Sequence, residues 1–359
     1  TGVISSWAPY TDGATAYAIY LTQDTNNIYI GGRFKSVNGV ARCNIGVVSK
    51  STGELQALNK KVSQYSNCPG YDAGQVYSLH FNNDVLYVGG DFAYADGVGQ
   101  TNFVAFNTTD GSKINFAPTP NGLVRTIKTD GTKLYLGGAF TTISGQTRNR
   151  FAQYNISDYT LTDFNPSFTD GNNVLDINFS DDKMFVSGSF TKINGSTCKN
   201  FSAFNKSDNS QDTNWCFNFT GVYSTYLYST TILGGNIYIA GSFDAIGGST
   251  RYNLASFKLS DATLNSWAPN ARKDLIGQII SYDIASTSQA ILASGNFDTV
   301  NTVSSSYFAQ FDIPKISFNS VRSWEFFSFS FCFFMICSCS NIWGATRFKI
   351  FTQSHTSRR

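Results

Sequence analysis

This sequence predicts an all-β fold assembled from repeated antiparallel units, and three features point to it. A motif of two small residues, a spacer and a phenylalanine closes a β-patterned run six times: Gly31-Gly32-Arg33-Phe34, Gly89-Gly90-Asp91-Phe92, Gly137-Gly138-Ala139-Phe140, Ser187-Gly188-Ser189-Phe190, Ala240-Gly241-Ser242-Phe243 and Ser294-Gly295-Asn296-Phe297. Successive phenylalanines lie 58, 48, 50, 53 and 54 residues apart, a period at which one supersecondary unit cannot bury its own apolar face. Aromatics reach 15% of the 359 residues and 31 glycines outnumber 7 prolines, which suits short strands joined by tight turns. Long amphipathic helical patterns are missing as far as Lys315.

The third unit shows the grammar. Val124 to Lys128 reads as a first strand, Asp130-Gly131 as a hairpin turn and Lys133 to Gly138 as a second strand, because β-branched and aromatic residues flank an Asp-Gly signal. Phe140 to Asn149 reads as a longer loop around Gly145, Phe151 to Asn155 as a third strand, and Thr160 to Phe164 as a fourth that Asn165-Pro166 stops. Four short antiparallel strands per unit make the blade of a β-propeller. The prediction is therefore a six-bladed β-propeller of four-stranded antiparallel blades over residues 1–316. Where the second strand leaves the sheet, neighbouring blades crowd together and small residues permit the approach. The aromatic-x-Pro endings at Trp7-Ala8-Pro9, Phe116-Ala117-Pro118, Phe164-Asn165-Pro166 and Trp267-Ala268-Pro269 read as packing between blades. Unit six has three strands and no fourth, whereas Thr1 to Pro9 is an orphan fourth strand. The N-terminal strand is expected to join the last blade and close the ring, removing exposed sheet edges.

The runs at 134–149 and 237–253, of the form LYVGG-x-F-x-x-x-x-G-x-x-R-N, together with the W-x-P ending, resemble the delta-60 repeat β-propeller family. The double glycine is kelch-like as well. The resemblance spans all six units and implies secreted or surface-exposed propellers that act as binding or display modules. Unit six departs from the pattern, lacking the loop glycine and the arginine.

Of seven cysteines, four fall inside the propeller and are placed twice alike. Cys43 and Cys198 stand at the start of a third strand; Cys68 and Cys216 stand at or beyond the end of the fourth. Adjacent antiparallel strands bring such positions to one rim, so disulfides Cys43–Cys68 and Cys198–Cys216 are expected. Free thiols and a zinc site are the competing readings, but His80 is the one histidine in the propeller and C-x-x-C does not occur there. Disulfides imply an oxidising, extracellular or cell-surface location. Seven N-x-[ST] sequons, at Asn107, Asn155, Asn178, Asn194, Asn200, Asn205 and Asn218, suit a glycoprotein, although a chain this rich in Asn, Ser and Thr also generates them by composition.

The repeat grammar ends at Lys315, and residues 317–359 form a separate tail. Phe326 to Thr346 carries no charge over 21 residues and is followed by Arg347, Lys349, Arg358 and Arg359. Its length would span a bilayer with the C-terminus inside, while its Ser- and Cys-rich composition suits a disordered or out-of-frame end; both readings stay open. The chain opens at Thr1, so any signal peptide is expected to have been removed or to lie outside it.

A net charge of +2 with 14% charged residues excludes the basic footprint of a nucleic-acid binder. Two histidines, His80 and His355, cannot supply a copper site, and a Ser-His-Asp triad would need His80, which sits in a first strand and reads as packed or channel-lining. Acidic turns at 129–131 and 180–182 lack calcium-loop spacing. Arg125, Lys128 and Asp176 fall where first strands line the axial channel and read as ordinary polar lining. No catalytic residue, metal or cofactor is expected, and so no enzyme. The loops between second and third strands converge on one face that carries Arg42, Arg148, Arg150, Lys199 and Arg251, a surface suited to a glycan or a protein partner; bracing of adjacent loops is the competing account. The expectation is a monomeric, secreted or cell-surface binding or display module. The alternatives are a structural or adhesive domain of a larger surface protein, and a hydrolase or lyase working in the channel.

Overall fold

The structure, a computed structural model, describes residues 7–12, 17–68, 74–222, 224–272, 281–301, 303–312 and 332–333. Among the described residues six main antiparallel sheets follow one another along the chain, each with its second strand between its first and third. Unit one comprises Tyr17–Gln23, Asn27–Arg33 and Ile45–Ser49, and unit two Gln75–Asn82, Val85–Asp91 and Phe103–Asn107. Unit three comprises Val124–Thr129, Lys133–Gly138 and Phe151–Asn155, and unit four Val174–Phe179, Lys183–Gly188 and Phe201–Asn205. Units five and six are Tyr226–Leu233, Asn236–Ser242 and Leu254–Lys258, then Ser281–Ser286, Ala290–Gly295 and Phe308–Asp312.

The apolar core is divided among the seams between units. Phe140 of unit three packs with Phe103 and Ala105 of unit two as well as Val124 and Ile127 of its own first strand, and the motif phenylalanine is buried in all six units. Middle strands are buried along most of their length, as in Lys133–Gly138, because each sheet is covered on both faces. The two small motif residues have separate tasks. A Cβ on Gly137 would lie 2.6 Å from Val174 of the next unit, and one on Gly138 would lie 1.9 Å from the Leu123 carbonyl; the first permits sheet to approach sheet, the second strand to cross strand. The aromatic-x-Pro residues do bridge units: Phe164 lies 5.5 Å from both Phe151 and Phe204, and Trp267 stands 5.1 Å from Tyr238 and 5.4 Å from Phe311.

Two expectations change. Blades are not uniformly four-stranded: a fourth strand, Gln211–Asp212, forms in unit four, while in units one, two, three and five the segment makes a single bridge, as Tyr154 does with Leu161. It enters through a turn capped by its own side chains, Thr160 Oγ1 donating to Asp158 at 2.7 Å, and must leave by Phe164 to reach the next unit. The segment between second and third strands is a hairpin of two-residue strands rather than an open loop, such as Ser36–Val37 with Val40–Ala41. It turns at Asn38-Gly39, Asp96-Gly97, Ser144-Gly145 and Asn194-Gly195, all at positive φ, the backbone of a type I′ turn. In five units the linker entering the unit adds a third strand to this hairpin, for example Phe168–Thr169 beside Lys192–Ile193. In unit three the hairpin stays two-stranded, because the linker there carries Pro118 and Pro120, which have no N–H to donate.

Residues 1–6 of the expected closing strand lie outside the described residues. Trp7 is buried against Ile30, Phe34, Val37 and Val48 of unit one and donates through Nε1 to the Ser49 carbonyl at 3.0 Å. Of the tail, Cys332–Phe333 pairs antiparallel with Ile19 and Tyr20 at the inner edge of unit one; the expected anchor otherwise lies outside the described residues. Among the described residues no helix is long and apolar enough to cross a membrane. Both expected disulfides, Cys43–Cys68 and Cys198–Cys216, are formed.

Candidate functional site

Each first strand slips register once against its partner, in units two to six between Val76 and Ser78, Val124 and Thr126, Val174 and Asp176, Leu227 and Ser229, and Ser281 and Asp283. A bulge re-aims the extra side chain. Tyr77, Arg125, Leu175, Tyr228 and Tyr282, the extra residues, all line a cavity of about 1030 Å³ to which the first strands of all six units contribute. The bulge also explains how Arg125 and Lys128, three residues apart, face the same space, which regular alternation forbids.

An innermost strand is a sheet edge with unpaired backbone groups, and these need partners. Side chains of the preceding unit supply them. Ile127 N–H donates to Ser78 Oγ at 2.9 Å, and Thr230 donates to Asp176 Oδ2 through N–H at 2.9 Å and Oγ1 at 2.7 Å. Ser229 Oγ donates to Asp283 Oδ1 at 2.6 Å and accepts from Ile284 N–H at 3.4 Å. Further along the strands, Phe81 N–H donates to Thr22 Oγ1 at 3.2 Å, Asn178 donates to the Thr230 carbonyl at 3.0 Å, and His80 Nε2 meets Thr129 Oγ1 at 2.8 Å. Hydrogen bonds of this kind thus cross the seams between units one and two, two and three, four and five, and five and six.

Burial raises the Asp176 carboxyl above its usual range, against the pull of Lys128 and of the Thr230 bonds. Burial likewise pushes Asp283 up to about 7 against its Ser229 bond, with the Asp176 charge adding to the rise. His80 is driven down to about 3 by burial and by Lys128, so its imidazole is neutral. It bonds Thr129 Oγ1, and among the described residues no Ser-His-Asp arrangement is assembled around it. The Arg125 guanidinium lies 3.8 Å over the Tyr77 ring; Tyr228 meets Tyr282 edge-on at 5.8 Å and Tyr77 meets Tyr20 at 6.5 Å. Among the described residues no group of three or more metal-ligating side chains converges.

The loop-face arginines hold the frame. Arg42 donates to the carbonyls of Ala41 and Gln56, Arg148 to those of Thr147 and Thr162, and Arg251 to those of Thr250 and Asn265, the second acceptor lying 14 residues on each time. Cys198 occupies the same place in unit four, and its disulfide to Cys216 stands in for the guanidinium brace. Arg150 sits two places after Arg148 at φ 68° and donates to the Phe168 and Gly171 carbonyls of the linker entering unit four. Asn44 and Asn253 occupy the equivalent place and reach Val62 and Ala271. Lys199 is half-buried and forms no such brace among the described residues. The structure therefore brings Arg125, Lys128 and Asp176 together at the axis and distributes the five loop-face cations around the rim. Sequence reasoning passed over Tyr77, Tyr228, Tyr282 and Asp283, whose positions on the cavity depend on the bulge.

Comparison with known proteins supports this architecture. The family model described as "Domain of unknown function (DUF5122) beta-propeller" matches residues 133–155, the second and third strands of unit three. The fold is similar to that of the extracellular domain of the one-component system BT4673 from B. thetaiotaomicron, with 14% identity and a TM-score of 0.50 over 87% of this chain and 36% of that one. A second structure of a BT4673 extracellular domain, described as a hybrid two-component system, gives 14% identity and a TM-score of 0.51 over 87% and 35%. The chain thus spans about a third of their length, and at this identity the likeness concerns fold. No curated protein matches the sequence. The class that fold and comparisons define is an all-β protein of the β-propeller kind with extracellular neighbours.

Proposed function

We propose that the chain is a six-bladed, extracellular propeller of the delta-60 type that binds a partner through its axial cavity and performs no catalysis. One observation carries this reading. The frame repeats from unit to unit, in the motif phenylalanine, the hairpin turn and the loop braces, whereas the residues just after the bulge are Tyr20, Ser78, Thr126, Asp176, Ser229 and Asp283. Where the repeat lets equivalent positions differ, and they face a shared space, they are available for recognition. Two disulfides suit an oxidising compartment. The rim cations Arg42, Arg148, Arg150, Lys199 and Arg251 enter as the frame around the cavity rather than as the contact itself.

The test compares Arg125→Ala with Arg148→Ala in binding assays against surface glycans and extracellular proteins. Binding lost in the first and retained in a folded second is the expected result; the reverse pattern would return recognition to the loop face. Ring closure by the N-terminal strand belongs to the same proposal, supported by Trp7 in the place that Trp267 takes between units five and six. The thermal unfolding midpoint should fall sharply when residues 1–9 are deleted, whereas deletion of 317–359, which removes the short pairing of Cys332–Phe333 with Ile19 and Tyr20, should leave the domain folded.

A further inference from the structure

We propose that the axial cavity receives the end of a saccharide chain, with a sugar ring against Tyr228 and Tyr282 and its hydroxyls bonded by Asp176, Asp283 and Lys128; this rests on the cavity being the binding site. Sugar rings have C–H faces that pack on the electron-rich faces of aromatic rings, and the bulges bring several tyrosines into one collar. Tyr77 is covered on one face by Arg125, and the Tyr228–Tyr282 pair supplies the platform opposite. Hydroxyls need acceptors and donors at fixed positions. Asp176 is held through Oδ2 by Thr230, and Asp283 through Oδ1 by Ser229 and its own neighbour Ile284, which fixes each carboxyl group in the cavity wall, where it can accept from a ligand hydroxyl. Lys128, close enough to act on both carboxylates and on His80, brings three donors.

Other occupants fit worse. An extended peptide adding to a sheet needs free edge N–H groups, and in units two, three, five and six those of Phe81, Ile127, Thr230 and Ile284 are already bonded across the seams, while the inner edge of unit one already pairs with Cys332–Phe333. An apolar molecule would bury Asp176 and Lys128 without new partners, which is unfavourable. A bare cation meets Arg125 and Lys128, and a bare anion meets Asp176. A cavity at the upper end of the range for small-ligand sites, about 300–1,000 Å³, admits more than a single small ring.

The experiment applies the full chain to a printed array of neutral and acidic oligosaccharides, then measures the bound ones by calorimetry with Tyr228→Ala, Asp283→Asn and Arg148→Ala, each first checked for folding by thermal unfolding. Affinity should fall about tenfold or more in the first two and be unchanged in the third. Failure of every oligosaccharide to bind at millimolar concentration overturns the proposal. If an extracellular protein is bound instead and lost with Arg125→Ala, the saccharide is wrong while the cavity stands. If a saccharide binds and only Arg148→Ala weakens it, both fall. Cleavage of the bound oligosaccharide that vanishes with Asp283→Asn supports the occupant and turns the module into an enzyme.

Discussion

Arg148 and Lys128 belong to the same unit and carry the same charge, yet they do opposite things. Arg148, at the rim, is buried and gives its terminal nitrogens to two backbone carbonyls of its own unit. Lys128, at the axis, faces a cavity shared by all six units and acts on Asp176, Asp283 and His80 through its charge. The rim residue recurs as Arg42 and Arg251 with the same acceptor spacing; the axial one has His80, Asn178 and Thr231 as its counterparts. In a repeat protein the basic residue that comes back belongs to the frame, and the one that does not is free for recognition. Charge alone does not distinguish them.

The largest expected effect lies where the brace is covalent. Cys198→Ser with Cys216→Ser should lower stability by about 2–4 kcal/mol, measured by denaturant unfolding with and without reductant; no change would mean that unit four's outer edge needs no brace. Arg148→Ala should cost about 1–3 kcal/mol by leaving the Thr162 and Thr147 carbonyls without that donor, and Arg251→Ala about as much, both with ligand affinity intact. Should either lose binding at unchanged stability, the contrast between rim and axis collapses.

A smaller effect is the pH dependence set at the axis. Asp283 has a folded-state pKa of about 7 against an ordinary 3.8, so the native state binds the extra proton. Its contribution to stability is fully present below the ordinary value and is lost as pH rises through about 7. Asp24 and Asp130 act the other way, their carboxyls lowered by hydrogen bonds from Tyr29 and Tyr135 against the opposing effect of burial, and their contribution is lost as pH falls. His80, driven down from an ordinary 6.5 to about 3, opposes Asp283 at acid pH because its contribution is lost as pH falls below the ordinary value. The Asp283 effect therefore emerges above about pH 6.5, and Asp283→Asn should flatten the slope of unfolding free energy between there and about pH 8. Lys128→Met should change the melting temperature little yet carry the Asp283 titration to higher pH, because Lys128 favours the carboxylate; NMR titration of the carboxyl reads it directly. Smallest of all on stability is glycan occupancy. Asn194 is exposed at a hairpin turn, whereas Asn200 is buried and bonded to Gly188 and Thr225. In a glycosylating host, mass mapping should find sugar on Asn194 and none on Asn200.

What was legible in the sequence was whatever is local and repeated. The spacing of Phe34 through Phe297, the small pairs beside them and the two cysteine pairs all follow from short-range pattern. The outer hairpins were hidden although Asn38-Gly39, Asp96-Gly97 and Asn194-Gly195 are hairpin dipeptides, because their strands are two residues long and no alternation can show. Thr160–Phe164 has the composition of a strand but must cross to the next unit, so pairing stops after Leu161. At the axis, Arg125, Lys128 and Asp176 were readable from their place in first strands. Tyr228, Tyr282 and Asp283 were not, because a bulge resets which residues face inward and leaves no mark in a single strand's alternation.

The cross-seam bonds to first-strand N–H groups all point one way along the chain. Thr22 accepts from Phe81, Ser78 from Ile127, Asp176 from Thr230 and Ser229 from Ile284, so the acceptor always belongs to the earlier unit. A chain made from its N-terminus therefore presents the arriving first strands of units two, three, five and six with a neighbour already equipped to receive them. At these four seams assembly has a direction, like a zip fastener whose teeth are set before the slider arrives.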